Sequence, residues 1–252
     1  NHIIEAASGE LASHLVGKGR MEEPETIFRT IDDFFKAQDA ALHANNLTGR
    51  RVLITAGPTY EKIDAVRFIG NFSTGKMGFA LAEECARRGA EVELVAGPVA
   101  LQTHHANIHR TNVTSANEMY EAATTLFDQC DTAILCAAVA DFTPATVADQ
   151  KIKRKGSGGL HLDLIPTHDI AKELGKRKRE GQKLVGFALE TNDEEQHAHD
   201  KLDFIVLNSL RTPGAGFAYD TNQVTLLFAN GEKKAFALKS KTEVAADIVD
   251  FL

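Results

Sequence analysis

Residues 50–252 predict an α/β fold: a three-layer arrangement with a mostly parallel sheet, helices on both faces and a late antiparallel hairpin. Short apolar runs alternate with segments of helical character, the pattern of strands joined by crossover helices. The first of these runs, 51–57 (RVLITAG), stops on a glycine and leads through a loop into a helix start. Near the end, Asn230-Gly231 separates two strand-like runs and is the strongest two-residue hairpin signal in the chain. Strands are expected near 51–56, 91–96, 131–136, 184–188 and 203–208, and helices near 75–88, 115–128, 168–178 and 241–251. The hairpin strands are expected at 223–228 and 234–238, where antiparallel edges on a parallel sheet are common.

The first 46 residues differ. Residues 6–21 are small and glycine-punctuated, and 22–44 read as a capped amphipathic helix with Ile27, Ile31, Phe34 and Phe35 near helical spacing. Asn45-Asn46-Leu47-Thr48-Gly49 reads as the linker, giving domains 1–46 and 47–252.

With 252 residues and 43% hydrophobic side chains, the chain has ample material for a buried core. Its formal charge of −7 argues against general nucleic-acid binding, and the basic run 172–179 reads as a solvated helix end. Cys85, Cys130 and Cys136 have no metal-ligand spacing, and an odd count suits thiols in a reducing, cytoplasmic setting. No apolar run reaches the roughly 20 residues that span a bilayer. The opening Asn-His-Ile-Ile, without an initiator Met, reads as the start of a fragment of something longer.

Residues 70–79 (GNFSTGKMGF) combine glycines with a helix start, the arrangement in which backbone N–H groups converge on an anion. Gly70 to Lys76 fits G-x-x-x-x-G-K, but Met77 stands where a P-loop needs Ser or Thr for Mg2+. Twelve residues also separate Gly57 from Gly70, whereas a P-loop leaves its strand at once. After the strand comes Gly57-Pro58-Thr59 and not G-x-G-x-x-G, which argues against an ordinary NAD site.

Over its full length, 57–99 resembles phosphopantothenate–cysteine ligase (phosphopantothenoylcysteine synthetase), the C-terminal half of the bifunctional coenzyme A biosynthesis protein. The shared pattern is TAGPT at 55–59, then IDAVRFIGNFSTGKMG at 63–78, with Ala65 where the family usually has proline. CAAVADF at 136–142, KIKR at 151–154, VGFALET at 185–191, DFIVLNSL at 203–210 and PGAGF with NQVTLL within 213–227 follow in order. The first 46 residues resemble the tail of the flavin-dependent decarboxylase that precedes the ligase. The catalytic cysteine of that domain would fall near Ser13, and no cysteine occurs before Cys85, so neither flavin nor decarboxylation is expected of this chain.

The resemblance implies a Rossmann-like ligase. The carboxylate of 4′-phosphopantothenate attacks the α-phosphate of CTP, pyrophosphate leaves, and the cysteine amine displaces CMP from the acyl-cytidylate. Mg2+ is the implied cofactor, and a homodimer through the ligase domain is the implied assembly. By resemblance Asn71 serves the pantothenate carboxylate and acyl intermediate, donating from its amide, and Arg67 the substrate phosphate, its fork matching phosphate oxygens. Ser73, Gly75 and Lys76 belong to the same substrate loop, with Gly75, Lys76 and Gly78 opening a helix beneath phosphate. Gly57, Ala137, Ala138 and Asp141 are placed at the nucleotide by strand ends, where open α/β sheets bind ligands. Asp141 accepts from ribose or base, or helps hold Mg2+. Lys151 is the lysine of a flap hinged on Gly156, Gly158 and Gly159, with Lys153 as a second candidate. The segment THDIA brings His168 (where proline is frequent), Asp169, Ile170 and Ala171 to the nucleotide, and Phe187 lies against it. Lys201 matches the first of two family lysines; the second has no counterpart, because 203–208 follows too soon.

Two other classes fit parts of the pattern. A flavin- or NAD(P)-binding oxidoreductase domain accounts for the strand–helix alternation, and a non-catalytic dimerising module accounts for the shortened Lys201 region.

Overall fold

A computed structural model describes residues 3–10, 15–43, 45–154, 158–190, 201–209, 214, 216 and 219–252. It divides into two compact units, Asn1–Asn46 and Leu47–Leu252.

In the first unit, β1 (Ala7–Glu10) and β2 (Val16–Arg20) form an antiparallel pair, and α1 (Pro24–His43) follows. Pro24 opens the helix at a position where its missing N–H costs nothing. Its apolar stripe includes Phe28, Ile31, Phe34 and Phe35, with Phe34 and Phe35 edge to face at 5.5 Å. Ser13 lies outside the described residues.

The second unit runs β3 (Arg51–Ala56), β4 (Tyr60–Lys62), β5 (Phe68–Gly70), α2 (Lys76–Arg87), β6 (Glu91–Ala96), β7 (Ile108–Asn112), α3 (Ala116–Phe127), β8 (Thr132–Leu135), β9 (Phe142–Pro144) and β10 (Leu164–Pro166). Then come α4 (Ile170–Arg177), β11 (Lys183–Glu190), β12 (Phe204–Ser209), β13 (Thr221–Asn222), β14 (Val224–Phe228), β15 (Lys233–Ala235), β16 (Lys239–Ser240) and α5 (Lys241–Val249). The central sheet is ordered β15-β14-β12-β11-β8-β3-β6-β7. Strands β7 through β12 in that order are parallel, and β14 and β15 add antiparallel to β12. Counting the parallel strands along the chain gives the order 3-2-1-4-5-6, the doubly wound Rossmann-like arrangement. The order in which strands are added reverses between β3 and β8, opening a crevice at their carboxyl ends.

Alternate residues of β3 serve opposite faces. Val52, Ile54 and Ala56 pack with Leu81, Ala82 and Cys85 of α2 and with Val244, Ala245 and Ile248 of α5. Leu53 packs on the other face with Met119, Ala123 and Phe127 of α3 and with Ile170 and Leu174 of α4. Between α2 and α5, Arg88 is buried, donating from Nε to Glu84 Oε1 (2.6 Å) and from Nη1 to Asp250 Oδ1 (2.6 Å).

The hairpin differs from the two-residue expectation. Gly231 N–H donates to Phe228 O and Phe228 N–H to Glu232 O, enclosing residues 229–231, with Gly231 at φ 85°. That is the three-residue form, which needs a left-handed residue at its third position. The expected strand 234–238 is β15 alone. Helix α4 begins at Ile170 because Asp169 caps it, accepting from Lys172 N–H at 2.9 Å.

Helix α2 lies unusually close to β3. A Cβ on Gly78 would come within 2.5 Å of Ala56 Cβ, and one on Gly97 within 1.7 Å of Pro58 O. Gly97→Ala is therefore expected to destabilise the domain by about 3 kcal/mol or more in urea unfolding, the upper range for overpacking. Gly159→Ala, with nothing within 4 Å of the added methyl, should change stability little.

Candidate active site

The crevice is lined by the segments that leave β3 and β8. Gly57 (φ 81°) and Gly75 (φ 77°) approach one another so closely that a Cβ on Gly75 would lie 3.5 Å from Gly57 Cα and 3.1 Å from Val99 Cγ1. Gly75 is the N-cap of α2 and has no side chain to cap with; its carbonyl accepts from Phe79 N–H. No N-cap side chain accepts from the N–H groups that open α2. The positive end of the α2 dipole is therefore open at the crevice. Ser73 shapes this turn by accepting from Gly75 N–H at 3.3 Å. Lys76 Nζ sits 2.6 Å from Asp220 Oδ1.

The β8 side is built from backbone bonds. Ala138 N–H donates to Gly57 O (2.9 Å), Thr59 N–H to Ala138 O (3.3 Å), and Ala140 N–H to the buried Thr59 hydroxyl (2.9 Å). Ala137 N–H donates to Thr55 Oγ1 at 3.3 Å. Asn71 crosses to this segment, its Nδ2 donating to Ala138 O (3.0 Å) and Val139 O (3.2 Å). This corrects the expected polarity of Asn71: its amide hydrogens are engaged, and the group it has left is the acceptor Oδ1.

Asp141 is exposed just beyond, and its carbonyl accepts from Thr167 N–H (2.9 Å) while Thr167 Oγ1 donates to Ala140 O (2.7 Å). These bonds bring the THDIA segment to the crevice. His168 stacks on Tyr120 of α3 with ring centroids 4.7 Å apart, Ile170 is buried, and Ala171 is half-buried. The Asp169 carboxylate is occupied as the α4 cap.

The segment that carries Lys151 is anchored through Asp64. This buried carboxylate accepts from Val66 N–H and Arg67 N–H (2.8 Å each), from Arg67 Nε (3.0 Å) and Nη2 (2.5 Å), and from Ile152 N–H (3.1 Å). Arg67 Nη2 also donates to Ile152 O at 2.9 Å. Both sides of the residue next to Lys151 are thus clamped to the loop that carries Arg67. Most of the Arg67 fork is spent on this task. Lys151 itself is exposed. The Asp64 carboxyl is held far below the usual range, first by its bonds from the Arg67 side chain and then by the backbone donors, which together outweigh burial.

Phe187 is half-buried on the α2–α5 face. Lys201 is not brought to the crevice. Its neighbour Asp203 donates its N–H to Leu184 O, and Lys201 O accepts from Lys178 Nζ. That places Lys201 at the amino end of β12, and β11 beside it spans on the order of 20 Å to the carboxyl ends. The physical cause is the early start of the strand after a short connection.

Sequence reasoning gave no role to Asp64, Tyr120, Asp220 or Lys241. Lys241, at the first position of α5, is buried and donates from Nζ to Gly216 O (2.9 Å) and Tyr219 O (2.5 Å). Burial and then the charge of Lys76 lower its pKa, against the pull of Asp220. The Ser240…Glu243 capping box marked this helix start in sequence, but nothing there marked the lysine as buried. Burial pushes the thiols of Cys85, Cys130 and Cys136 up to about 12, so none is poised as a nucleophile. Among the described residues no three His, Cys, Asp or Glu side chains converge on a metal position, and no helix is long and apolar enough to cross a membrane.

The sheet order, with its switch point between β3 and β8, places residues 47–252 among the doubly wound, Rossmann-like α/β domains. Residues 47–252 match the family model described as DNA/pantothenate metabolism flavoprotein C-terminal domain, and the chain belongs to that family. It is 56% identical over 254 residues to a protein named Cysteine/Cysteine sulfinic acid decarboxylase from an unknown prokaryotic organism, covering 99% of this chain and 70% of the relative. It is 47% identical to the Coenzyme A biosynthesis bifunctional protein CoaBC of Bacillus subtilis strain 168, covering 98% of this chain and 61% of that protein. The chain thus spans less than two thirds of this bifunctional relative. A crystal structure of the C-terminal domain of a CoaBC protein superposes with a TM-score of 0.69 at 40% identity, covering 82% of this chain and 96% of that domain.

Asp64 carries a testable pH dependence. Its native pKa is depressed, so its stabilisation is complete above about pH 4, where an unfolded aspartate is ionised, and drains away as pH falls toward the native value. The gap in urea midpoint between wild type and Asp64→Asn should be widest near neutrality and narrow steadily below pH 4.

Proposed function

We propose that this chain joins 4′-phosphopantothenate to L-cysteine, with CTP as activating co-substrate, through an acyl-cytidylate. The observation that carries this reading is the clamp between Arg67, Asp64 and Ile152. It draws together, across 85 residues of sequence, the loop of Arg67 and Asn71 and the segment of Lys151. A ligase that activates a carboxylate needs this juxtaposition, because acid and nucleotide must be held with reacting atoms in contact and the mixed anhydride kept from water. The names of the CoaBC relatives support the pathway.

In the first step a pantothenate carboxylate oxygen attacks the α-phosphorus and the bond to pyrophosphate breaks. The Lys151 ammonium supplies charge against the triphosphate, and the N–H groups opening α2, with Lys76, receive phosphate oxygens. In the second step the cysteine nitrogen attacks the acyl carbon, the acyl–oxygen bond to CMP breaks, and the nitrogen loses a proton. Asn71, fixed on the 138–139 carbonyls, offers Oδ1 to the incoming amine. Tyr120 and His168 offer an aromatic surface beside Ala137 and Asp141 for the nucleotide. A Mg2+ ion would be carried by the triphosphate, with Asp141 the protein carboxylate placed to help hold it. Such an ion neutralises triphosphate charge. A cytoplasmic homodimer, with a decarboxylase domain in the longer protein, is the accompanying assembly we propose.

Decarboxylation of cysteine or cysteine sulfinic acid is the second reading, favoured by the name of the 56% identical relative. Pyrophosphate release from CTP that requires 4′-phosphopantothenate, and that turns over repeatedly only when cysteine is also present, supports ligation. Carbon dioxide release without nucleotide supports the alternative.

Lys151→Gln should leave the urea midpoint unchanged and slow acyl-cytidylate formation by about 10²–10³, the loss typical of one transition-state charge donor. Unchanged turnover would reduce the KIKR run to a linker. Asn71→Asp exchanges an amide for a carboxylate facing two carbonyl oxygens, so the seat of the side chain becomes repulsive. CTP should still bind while rapid-quench analysis shows acyl-cytidylate accumulating at least tenfold over wild type. Normal product formation would remove Asn71 from the second step.

A further inference from the structure

Asp220 presents an exposed carboxylate, 87% accessible, on a stretch of backbone that is itself fixed. Its carbonyl accepts from Lys241 N–H at 2.9 Å, and the preceding carbonyl, Tyr219 O, accepts from the buried Lys241 ammonium. The chain enters β13 at the next residue, where Thr221 pairs with Ser240. From this held backbone the carboxylate meets Lys76 Nζ at 2.6 Å, at the first position of α2. An exposed ion pair contributes little to stability, so stability does not account for this arrangement.

Charge does. The mouth of α2 gathers the helix dipole, Lys76 and, behind it, Lys241, whose ammonium feels the charge of Lys76. Asp220 is their counter-charge, and the bond and charge of Lys76 hold its carboxyl below the ordinary range. A phosphate group carries up to twice the charge of a carboxylate, and it can take the helix N–H groups together with the ammonium, which Asp220 does not.

We propose that Asp220 is a charge gate on Lys76: it occupies the ammonium in the ligand-free protein and yields it only to a phosphate-bearing anion. A monocarboxylate gains nothing by exchanging with Asp220, so the gate selects for phosphate. The inference rests on the anion-binding role given to Lys76 above.

Calorimetric titration with inorganic triphosphate, and separately with 4′-phosphopantothenate, tests it in wild type, Asp220→Asn, Lys76→Gln and the double variant. The two ligands show whether nucleotide or acid substrate meets the gate. At low ionic strength Asp220→Asn should bind at least one of them about fivefold more tightly and bind acetate detectably, a gain that shrinks toward onefold in 0.5 M salt as screening grows. Lys76→Gln should bind about tenfold more weakly, and in its background Asp220→Asn should have no more than a twofold effect. Unchanged or weaker binding in Asp220→Asn, an equal gain in both backgrounds, or no binding in any of the four proteins overturns the gate. Ligase activity with an unaltered Asp220→Asn affinity would sink the gate and spare the proposed function. The expected affinity pattern without ligase activity would do the reverse.

Discussion

The near-contact of α2 with the end of β3 is the constraint on which the rest of the site depends. Helix and strand approach until a single methyl would collide, which is why Gly78 faces Ala56 and why Gly57, Gly75 and Gly97 surround the junction. A dinucleotide-binding fingerprint assigns the same tasks to glycines within one short turn. Here they are spread over three segments of chain, and the helix is reached only after the β4–β5 excursion. The result is equivalent at the level of physics: an uncapped helix start aimed at the crevice of a doubly wound sheet.

Around that junction, polar groups order the loops. Asp64 gathers five hydrogen bonds inside the protein and converts two loops distant in sequence into one body. Lys241 does the corresponding work with an ammonium, collecting the carbonyls of Gly216 and Tyr219. A buried charge is costly unless its partners are complete, so each such group demands one loop conformation. The loops around the crevice are therefore specified by charge, while the sheet beneath is specified by apolar packing.

That division also explains what could be read from sequence. Strands β3, β6, β8, β11 and β12 were legible because strands in the middle of a sheet are apolar runs bounded by turn residues. The edge strand β7 (IHRTN) escaped, since only Ile108 is buried and the remaining side chains resemble a loop. Among site residues, glycines and the motif lysines announce themselves by type. The polarity of Asn71 did not, because its amide partners are carbonyls 67 and 68 residues away. Lys201 was legible as a lysine in the right block, but the short connection before β12 leaves it at the wrong end of the sheet. Lys241 looked like an ordinary helix-start lysine, and only packing reveals that it is enclosed.

The outer strands of the sheet carry a consequence for its behaviour in crowded solution. An unpaired strand edge invites another chain to extend the sheet. At one margin β15 is three residues long and presents two adjacent lysines, all of it exposed. At the other, β7 shows His109, Arg110, Thr111 and Asn112 to its surroundings. Short length, positive charge and polar side chains make either margin a poor template, so the sheet terminates where it is and resists end-to-end polymerisation.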